Sequence, residues 1–313
     1  MIRNIPVPAA GVMLGLAALG HLLAPYGLPL KYLCGVCALF LGLLLLARAA
    51  RYPRTLLQDL NGSSVLGSVA ATFFMAWMQL AAYAAPFAPG AGHALWLAAA
   101  AGHTALMGWF TARYLRRPAL RDVFPTYFIA YVGLIAASVT APAFGEEALG
   151  AWIFRFGFAA YVALFVLVTV RYLKERDIPE PARPLFCIYA APMSLSLAGY
   201  LACMPEKSTE AVLLMAGLAQ IFYAVVIARL PGLLRLPFYP SYAAFTFPCV
   251  ISAAALRQAL MHLDGAGVAV PAAYHLLADA ETAVAAAVVF YVFARYLHFL
   301  FRRAPARAAE GAA

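Results

Sequence analysis

The sequence predicts an all-α polytopic membrane protein with ten transmembrane helices in one domain, residues 1–313. Hydrophobic residues make up 65% of the chain and charged residues only 11%, which is too little polar surface for a soluble domain of this size. Apolar runs of about 20 residues recur along the chain, and a helix of that length spans the hydrocarbon core of a bilayer. The predicted spans are residues 7–24, 30–48, 63–84, 92–114, 125–142, 149–172, 184–204, 209–229, 239–258 and 273–297.

The positive charges predict how these spans are oriented. The chain has 22 Lys and Arg residues, and 18 of them fall in the segments on the same side as the N-terminus. Lys31, Lys207 and Arg257 are on the other side, and Arg155 lies within the sixth span. By the positive-inside rule both termini are cytoplasmic, and the net charge of +9 needs no nucleic-acid partner. The basic start and apolar stretch of the N-terminus also resemble a signal peptide, but its removal would reverse this alternation, so we expect a retained first helix.

A repeat of nearly 60 residues pairs the ten spans into five helical hairpins. The hairpins are approximately residues 7–48, 63–114, 125–172, 184–229 and 239–297. The last three begin with Pro125, Pro184 and Pro240, and eight residues after each proline stand Gly133, Pro192 and Pro248. Proline is favoured in the first turn of a helix, whereas glycine or proline further along weakens or breaks it. The repeat predicts hairpins in a quasi-fivefold arrangement about an axis, with breaks at one depth.

The odd and even spans differ in composition. The odd spans are rich in Gly, Ala, Ser and Pro, and carry no Asp, Glu, Lys or Arg apart from Arg257. Small residues allow close helix packing, and broken backbone is tolerated in a membrane only inside protein or beside a watery cavity. We therefore predict that the odd helices form an inner ring that lines a central pore, and that the even helices surround it.

The ninth span places a large aromatic side chain, Phe247, directly before Pro248. Smaller possible pore-lining residues share its helix face: Ala243, Ala244, Val250, Ile251 and Ala254. One interpretation is that the kink holds the phenyl ring in the pore as a gate, with hydroxyls such as Ser138 and Ser194 on neighbouring odd spans also facing the pore. A plainer alternative remains open, in which Phe247 is ordinary helix packing and Pro248 a harmless kink.

Ten helices in five hairpins, proline-broken odd helices and the stretch "AFTFP" (Ala244–Pro248) resemble the tellurite-resistance/dicarboxylate transporter family. This family includes bacterial TehA and the plant slow-type anion channels. The stretches "YAAPMSLSLAGY" from Tyr189 and "PVPAAGVMLGLAALG" from Pro6 add to the resemblance, which covers nearly the whole chain. The resemblance implies a homotrimer with one pore per protomer, occluded by Phe247, through which small inorganic or organic anions pass when the ring moves. This chain departs from the family pattern at the third helix, which begins Asn61-Gly62-Ser63 instead of His-Pro.

The alternative function is a proton-coupled carrier or exporter of dicarboxylate, sulfite or tellurite-type oxyanions, as described for some members of this family. A carrier of this kind needs a titrating group within the membrane. The candidates are His103, His275, Asp279 and Glu281, all on even spans. Because no odd span carries a carboxylate, the sequence favours passive conduction through a channel.

Patterns typical of enzymes and metal sites are missing from the sequence. The six histidines show neither HxxxH nor HExxH spacing, and no nucleophile elbow occurs. We therefore expect no enzymatic activity, no cofactor and no metal ion. The high alanine content and the compact loops indicate the inner membrane of a bacterium.

Overall fold

Ten long helices make up the computed structural model, which describes residues 2–116, 119–175 and 177–301. With their short 3₁₀ turns included, they are α1 (Ala9–Tyr26), α2 (Leu28–Arg51), α3 (Ser64–Ala84), α4 (Pro89–Phe110), α5 (Thr126–Phe144), α6 (Glu147–Lys174), α7 (Glu180–Cys203), α8 (Thr209–Leu233), α9 (Pro240–Gly265) and α10 (Ala272–Phe301). Each corresponds to one predicted span. A short helix that we did not predict, Pro53–Gly62, lies between α2 and α3.

Of the ten long helices in the described ranges, nine are long and apolar enough to cross a membrane. The exception is α4. This helix has 22 residues, but His93, His103 and several glycines make it less apolar than its neighbours. It packs along α3 and against the start of α5, where it completes the second hairpin. The prediction of an all-α polytopic membrane protein is confirmed.

The odd helices form a closed inner ring. Going around the ring, α1 packs against α3, α3 against α5, α5 against α7, α7 against α9, and α9 against α1. Each even helix packs on the outside against its own hairpin partner and the next odd helix, and α10 closes the circle by packing against α1. Between 61% and 78% of the most apolar stretch of each odd helix is buried, compared with 28% to 33% for α2, α6, α8 and α10. The remaining surface of the even helices is apolar, as lipid contact requires.

Four of the five inner helices are interrupted or change helical form at a similar depth, and they are not smoothly kinked α-helices; α1 is continuous from Ala9 to Leu23. A 3₁₀ turn, Val132–Leu134, interrupts α5, and α3 is interrupted at Ala70. The first part of α7 is a 3₁₀ segment (Glu180–Ala190), and so is the first part of α9 (Pro240–Phe245). Pro192 and Pro248 therefore lie in the first turn of the α-helical part, where a missing N–H costs little. The 3₁₀ segment also moves the start of α7 from the predicted residue 184 to Glu180.

All inner helices begin at the same end of the bundle, and this end also carries many of the arginines. The basic residues Arg48, Arg51 and Arg171 lie in the last turns of even helices, which return to this end. Arg48 is buried and pairs with Asp59, which holds the short helix Pro53–Gly62 against α2. Five of the cations used to predict the orientation lie outside the described residues: Arg117, Arg176, Arg302, Arg303 and Arg307.

Candidate functional site: an interrupted passage through the inner ring

A cavity of about 360 Å³ opens within the inner ring, at the end where the inner helices begin. All five inner helices line it, from Pro8, Ser63, Pro179 and Pro240 near their N-terminal ends to Gly133, Pro192, Phe247 and Pro248 at greater depth. We call it the inner cavity. None of the described residues that line it is an Asp, Glu, Lys, Arg or His. An ion in this cavity therefore meets helix N-termini, apolar side chains and the hydroxyl residues Ser63, Thr72 and Ser241, with no fixed charge among the described lining residues.

A second cavity, of about 210 Å³, lies in the opposite half of the ring. We call it the outer cavity. It is lined by the later parts of α1, α3, α5 and α9, and it contains four polar residues: His21, Gln79, Arg257 and Gln258. The two cavities thus differ in chemistry, because only the outer one has a charged side chain among its described lining residues.

A solid layer of protein separates the two cavities. No described residue lines both, and along α9 the lining changes from Pro248 on the inner side to Val250 on the outer side. The inner-cavity residues next to this layer are Leu14, Met75, Gly133, Leu195 and Phe247. Phe247 is the largest of them, and only 7% of its surface is exposed. The two cavities therefore do not join at the depth of the helix breaks.

Close contact between α1 and α9 fixes the position of Phe247. The hydroxyl of Thr246 donates hydrogen bonds to the carbonyl oxygen of Ala243 (2.8 Å) and to that of Gly11 (3.1 Å) on α1. A Cβ atom on Gly15 would lie 2.6 Å from Thr246 Cβ, so only glycine permits this approach. The residue before the gate candidate is thus bonded to the backbone of a neighbouring helix.

Replacing Gly15 with alanine is expected to destabilise the protein by roughly 1–3 kcal/mol, because Thr246 Cβ is attached directly to the α9 backbone and cannot rotate away. The thermal unfolding of detergent-purified protein measures this loss. Gly217→Ala is the matched control: Gly217 is exposed in α8, with nothing within 4 Å of the new Cβ. Alanine there should leave the melting temperature unchanged or slightly raised. Equal effects of the two substitutions would contradict a tight α1–α9 contact.

The other predicted lining residues on α9 divide between the two cavities. Ala243 and Ala244 line the inner cavity, and Val250, Ile251 and Ala254 line the outer one. Gly133, on α5, packs against Met75 and His103. Its missing side chain leaves room for both of these neighbours.

Ser138 and Ser194 lie between helices and line neither cavity. The Ser138 hydroxyl donates to the carbonyl oxygen of Gly150 on α6 (2.8 Å). The Ser194 hydroxyl donates to Ala190 in its own helix (2.9 Å) and lies 3.1 Å from the hydroxyl of Ser252. Serine in a membrane helix commonly bonds to a backbone carbonyl in this way, because the hydroxyl is costly to leave unpaired there. These hydroxyl hydrogens are consequently not free to bind an anion.

The candidate titrating residues are spread over the outer helices. His103 is fully buried, and its Nε2 donates to the carbonyl oxygen of Ala130 (3.1 Å) while Nδ1 has no hydrogen-bond partner among the described residues. Glu281 is 2% exposed, and neither carboxyl oxygen has a described partner. Asp279 and His275 are exposed, and pair with Arg257 and Asp264 respectively. None of the four lines either cavity.

The polar lining of the outer cavity was not predicted from the sequence. Arg257 is the single charged residue of the odd spans, and this exception could have indicated a polar site on α9. His21 and Gln79 had no such signal. The Nε2 of His21 lies 3.2 Å from the carbonyl oxygen of Gln79, a residue 58 positions away on another inner helix.

A ring of five inner helices that encloses two cavities defines a class of protein: a helical membrane protein with internal cavities along the axis of the bundle. Comparison with known families agrees. The model of the SLAC1 family, described as voltage-dependent anion channel, matches residues 4–297. The chain therefore belongs to the SLAC1 family, and the resemblance found in the sequence is confirmed. No curated protein matches the sequence.

Proposed function

We propose that the protein is a passive anion channel, with one pore through the inner ring of each protomer and Phe247 as its closed gate. The observation that carries this proposal is the interrupted passage. Two cavities lie in one ring with a layer of protein between them, and Phe247 is the largest inner-cavity residue beside that layer. Membership of an anion-channel family supports the solute class. Of the sites predicted from the sequence, the α9 lining residues and the breaks at Gly133, Pro192 and Pro248 act in this proposal as the wall of the passage, whereas Ser138 and Ser194 do not.

Anion preference has a physical source in the direction of the inner helices. Their N-terminal ends surround the mouth of the inner cavity, and the partial positive charge of a helix N-terminus favours an anion. Such weak, distributed attraction suits conduction, since an ion that binds tightly leaves slowly. We expect easily dehydrated monovalent anions to pass best.

A second candidate function, a proton-coupled oxyanion carrier, has one observation in its favour. Glu281 on α10 is buried without a hydrogen-bond partner among the described residues, and buried acids in membrane helices often bind protons for transport. Its position on an outer helix, away from the lining of both cavities, argues against direct coupling to a solute in the passage.

Planar bilayers that contain the purified protein distinguish the two functions. A channel gives a current whose reversal potential follows the chloride gradient and does not change when a pH gradient is imposed. A carrier gives no such current, and in liposomes a pH gradient drives uptake of labelled sulfite or dicarboxylate. The second result would overturn the channel proposal.

We further propose a bacterial inner-membrane location, cytoplasmic termini and a homotrimer. The arginine-rich end of the bundle supports the orientation, and the family resemblance supports the trimer. Labelling of single cysteines at the two ends of the bundle in intact cells tests the orientation, and the mass of the detergent-purified protein tests the trimer.

A further inference from the structure

The break in α5 differs chemically from the breaks in α7 and α9. In those two helices a proline, Pro192 or Pro248, stands at the repeated position, and an α-helix cannot continue through a proline unchanged. The equivalent residue of α5 is Gly133, which keeps its N–H and lies inside the 3₁₀ turn Val132–Leu134. A glycine weakens a helix by only about 1 kcal/mol relative to alanine, so it permits this break without requiring it. The break in α5 therefore needs a further cause.

The imidazole of His103, on the outer helix α4, bonds to α5 directly before this break. Its Nε2 lies 3.1 Å from the carbonyl oxygen of Ala130, and because a carbonyl oxygen only accepts, Nε2 carries the hydrogen. The next residue, Tyr131, has φ −108° and ψ −55°, whereas a regular α-helix has φ near −63°. The first α-helical part of α5 ends at this residue. A side chain that inserts into the backbone hydrogen bonds of a helix is a known cause of such a break.

Gly133 leaves the space that this imidazole occupies. A Cβ atom on Gly133 would lie 3.2 Å from Cε1 of His103 and 2.7 Å from Sδ of Met75. His103 is fully buried, and the bond from its Nε2 to Ala130 fixes the ring, so the ring cannot move aside without losing that bond. The glycine and the histidine are therefore complementary parts of one break.

The 3₁₀ turn sets the direction of the second half of α5. A 3₁₀ helix turns by about 120° per residue and an α-helix by about 100°, so three residues in the 3₁₀ form rotate all that follows by roughly 60°. Val139 follows this turn, is half-buried and lines the outer cavity. In a continuous α-helix its side chain would point away from that cavity. The turn also shapes the inner cavity, because Val132 and Gly133 line it.

We propose that His103 is a positioning residue of the passage. Its hydrogen bond to Ala130 holds α5 in the broken form, as a proline does in α7 and α9, and thereby directs residues of α5 into both cavities. This role uses the N–H donor of the ring and needs no change in its protonation. The proposal rests on the proposed channel function only where ion flow is concerned, because the direction of α5 is measured without any current.

The test measures how fast Val139→Cys reacts with a small methanethiosulfonate in detergent-purified protein. Of the five native cysteines, all within the described ranges, only Cys37 is not buried, so the measurement uses a Cys37→Ala background. His103→Gln places an amide N–H near the position of Nε2, and Val139→Cys should then react at the same rate as with His103. His103→Met has nearly the same size and shape as His103→Gln and suits an apolar interior, but it has no donor. It should lower the rate several-fold.

Ala254→Cys is the matched control for access to the outer cavity. Ala254 lines this cavity from α9 and is also half-buried, so its cysteine should react at one rate whichever residue stands at position 103. Equal rates for Val139→Cys in the glutamine and methionine variants would show that the bond to Ala130 does not set the direction of α5, and the proposal would fail. It would also fail if methionine slowed Ala254→Cys as much as Val139→Cys, since the whole cavity would then have changed. Neither result would affect the bilayer test of the channel.

Discussion

Replacing Phe247 with alanine is expected to raise the anion current through the purified protein in a planar bilayer by roughly tenfold or more. The physical reason is the thickness of the barrier along α9. Only Cys249 lies between the last α9 residue of the inner cavity, Pro248, and the first of the outer one, Val250. Removing the phenyl ring takes the largest side chain from the edge of this layer. We expect the two cavities to join into one continuous passage.

Phe245→Ala is the matched control for the gate. Phe245 is also fully buried on α9, but its ring packs 4.8 Å from that of Tyr242 and lines neither cavity. Both substitutions remove a buried phenyl group, at a cost to stability of about 3–5 kcal/mol. Only Phe247→Ala should conduct. Equal currents from the two variants would mean that general loosening of the fold causes the leak, and silence from Phe247→Ala would remove this residue from the gate.

The arrangement of the helices could be predicted from the sequence because it repeats. Five hairpins with prolines at similar positions, together with odd spans rich in small residues and nearly free of charge, determine which helices must be inside. This logic holds because small residues and broken backbone are tolerated only within the protein. The confirmed all-α membrane fold rests on these features. The weakly apolar α4 was also predicted as a span, and the alternation of charge supported the count of ten.

The form of the helix breaks could not be predicted in the same way. A proline indicates that an α-helix cannot continue through it unchanged, but not whether the chain bends or starts as a 3₁₀ helix. In α7 and α9 the choice depends on neighbours distant in sequence, such as the contact of Thr246 with Gly11 on α1. The directions of the Ser138 and Ser194 hydroxyls could not be predicted either, because the acceptor of each hydroxyl depends on its rotamer and on local packing. The hydrogen-bond partners of Arg257 could not be predicted from the sequence, because one of them, Tyr26, is 231 residues away.

Adding a negative charge to the inner cavity is expected to abolish most of the anion current of the open variant. Ala244 lines the inner cavity and is partly exposed there. A glutamate at this position repels an anion that passes at about 5 Å by roughly 3 kcal/mol at an effective dielectric constant of ~20. In a Phe247→Ala background, Ala244→Glu should therefore lower the current by at least about tenfold, and the reversal potential should move towards that of the cation.

Ala244→Gln in the same background separates charge from size. Glutamine has nearly the volume and shape of glutamate but carries no charge, so any narrowing of the passage is the same in both variants. The glutamine variant should keep most of its current and its anion selectivity. Because the described lining of the inner cavity has no fixed charge of its own, a single carboxylate should dominate the local potential. If the two variants conduct equally and with the same selectivity, ions do not pass close to Ala244, and the conducting path does not run through the inner cavity.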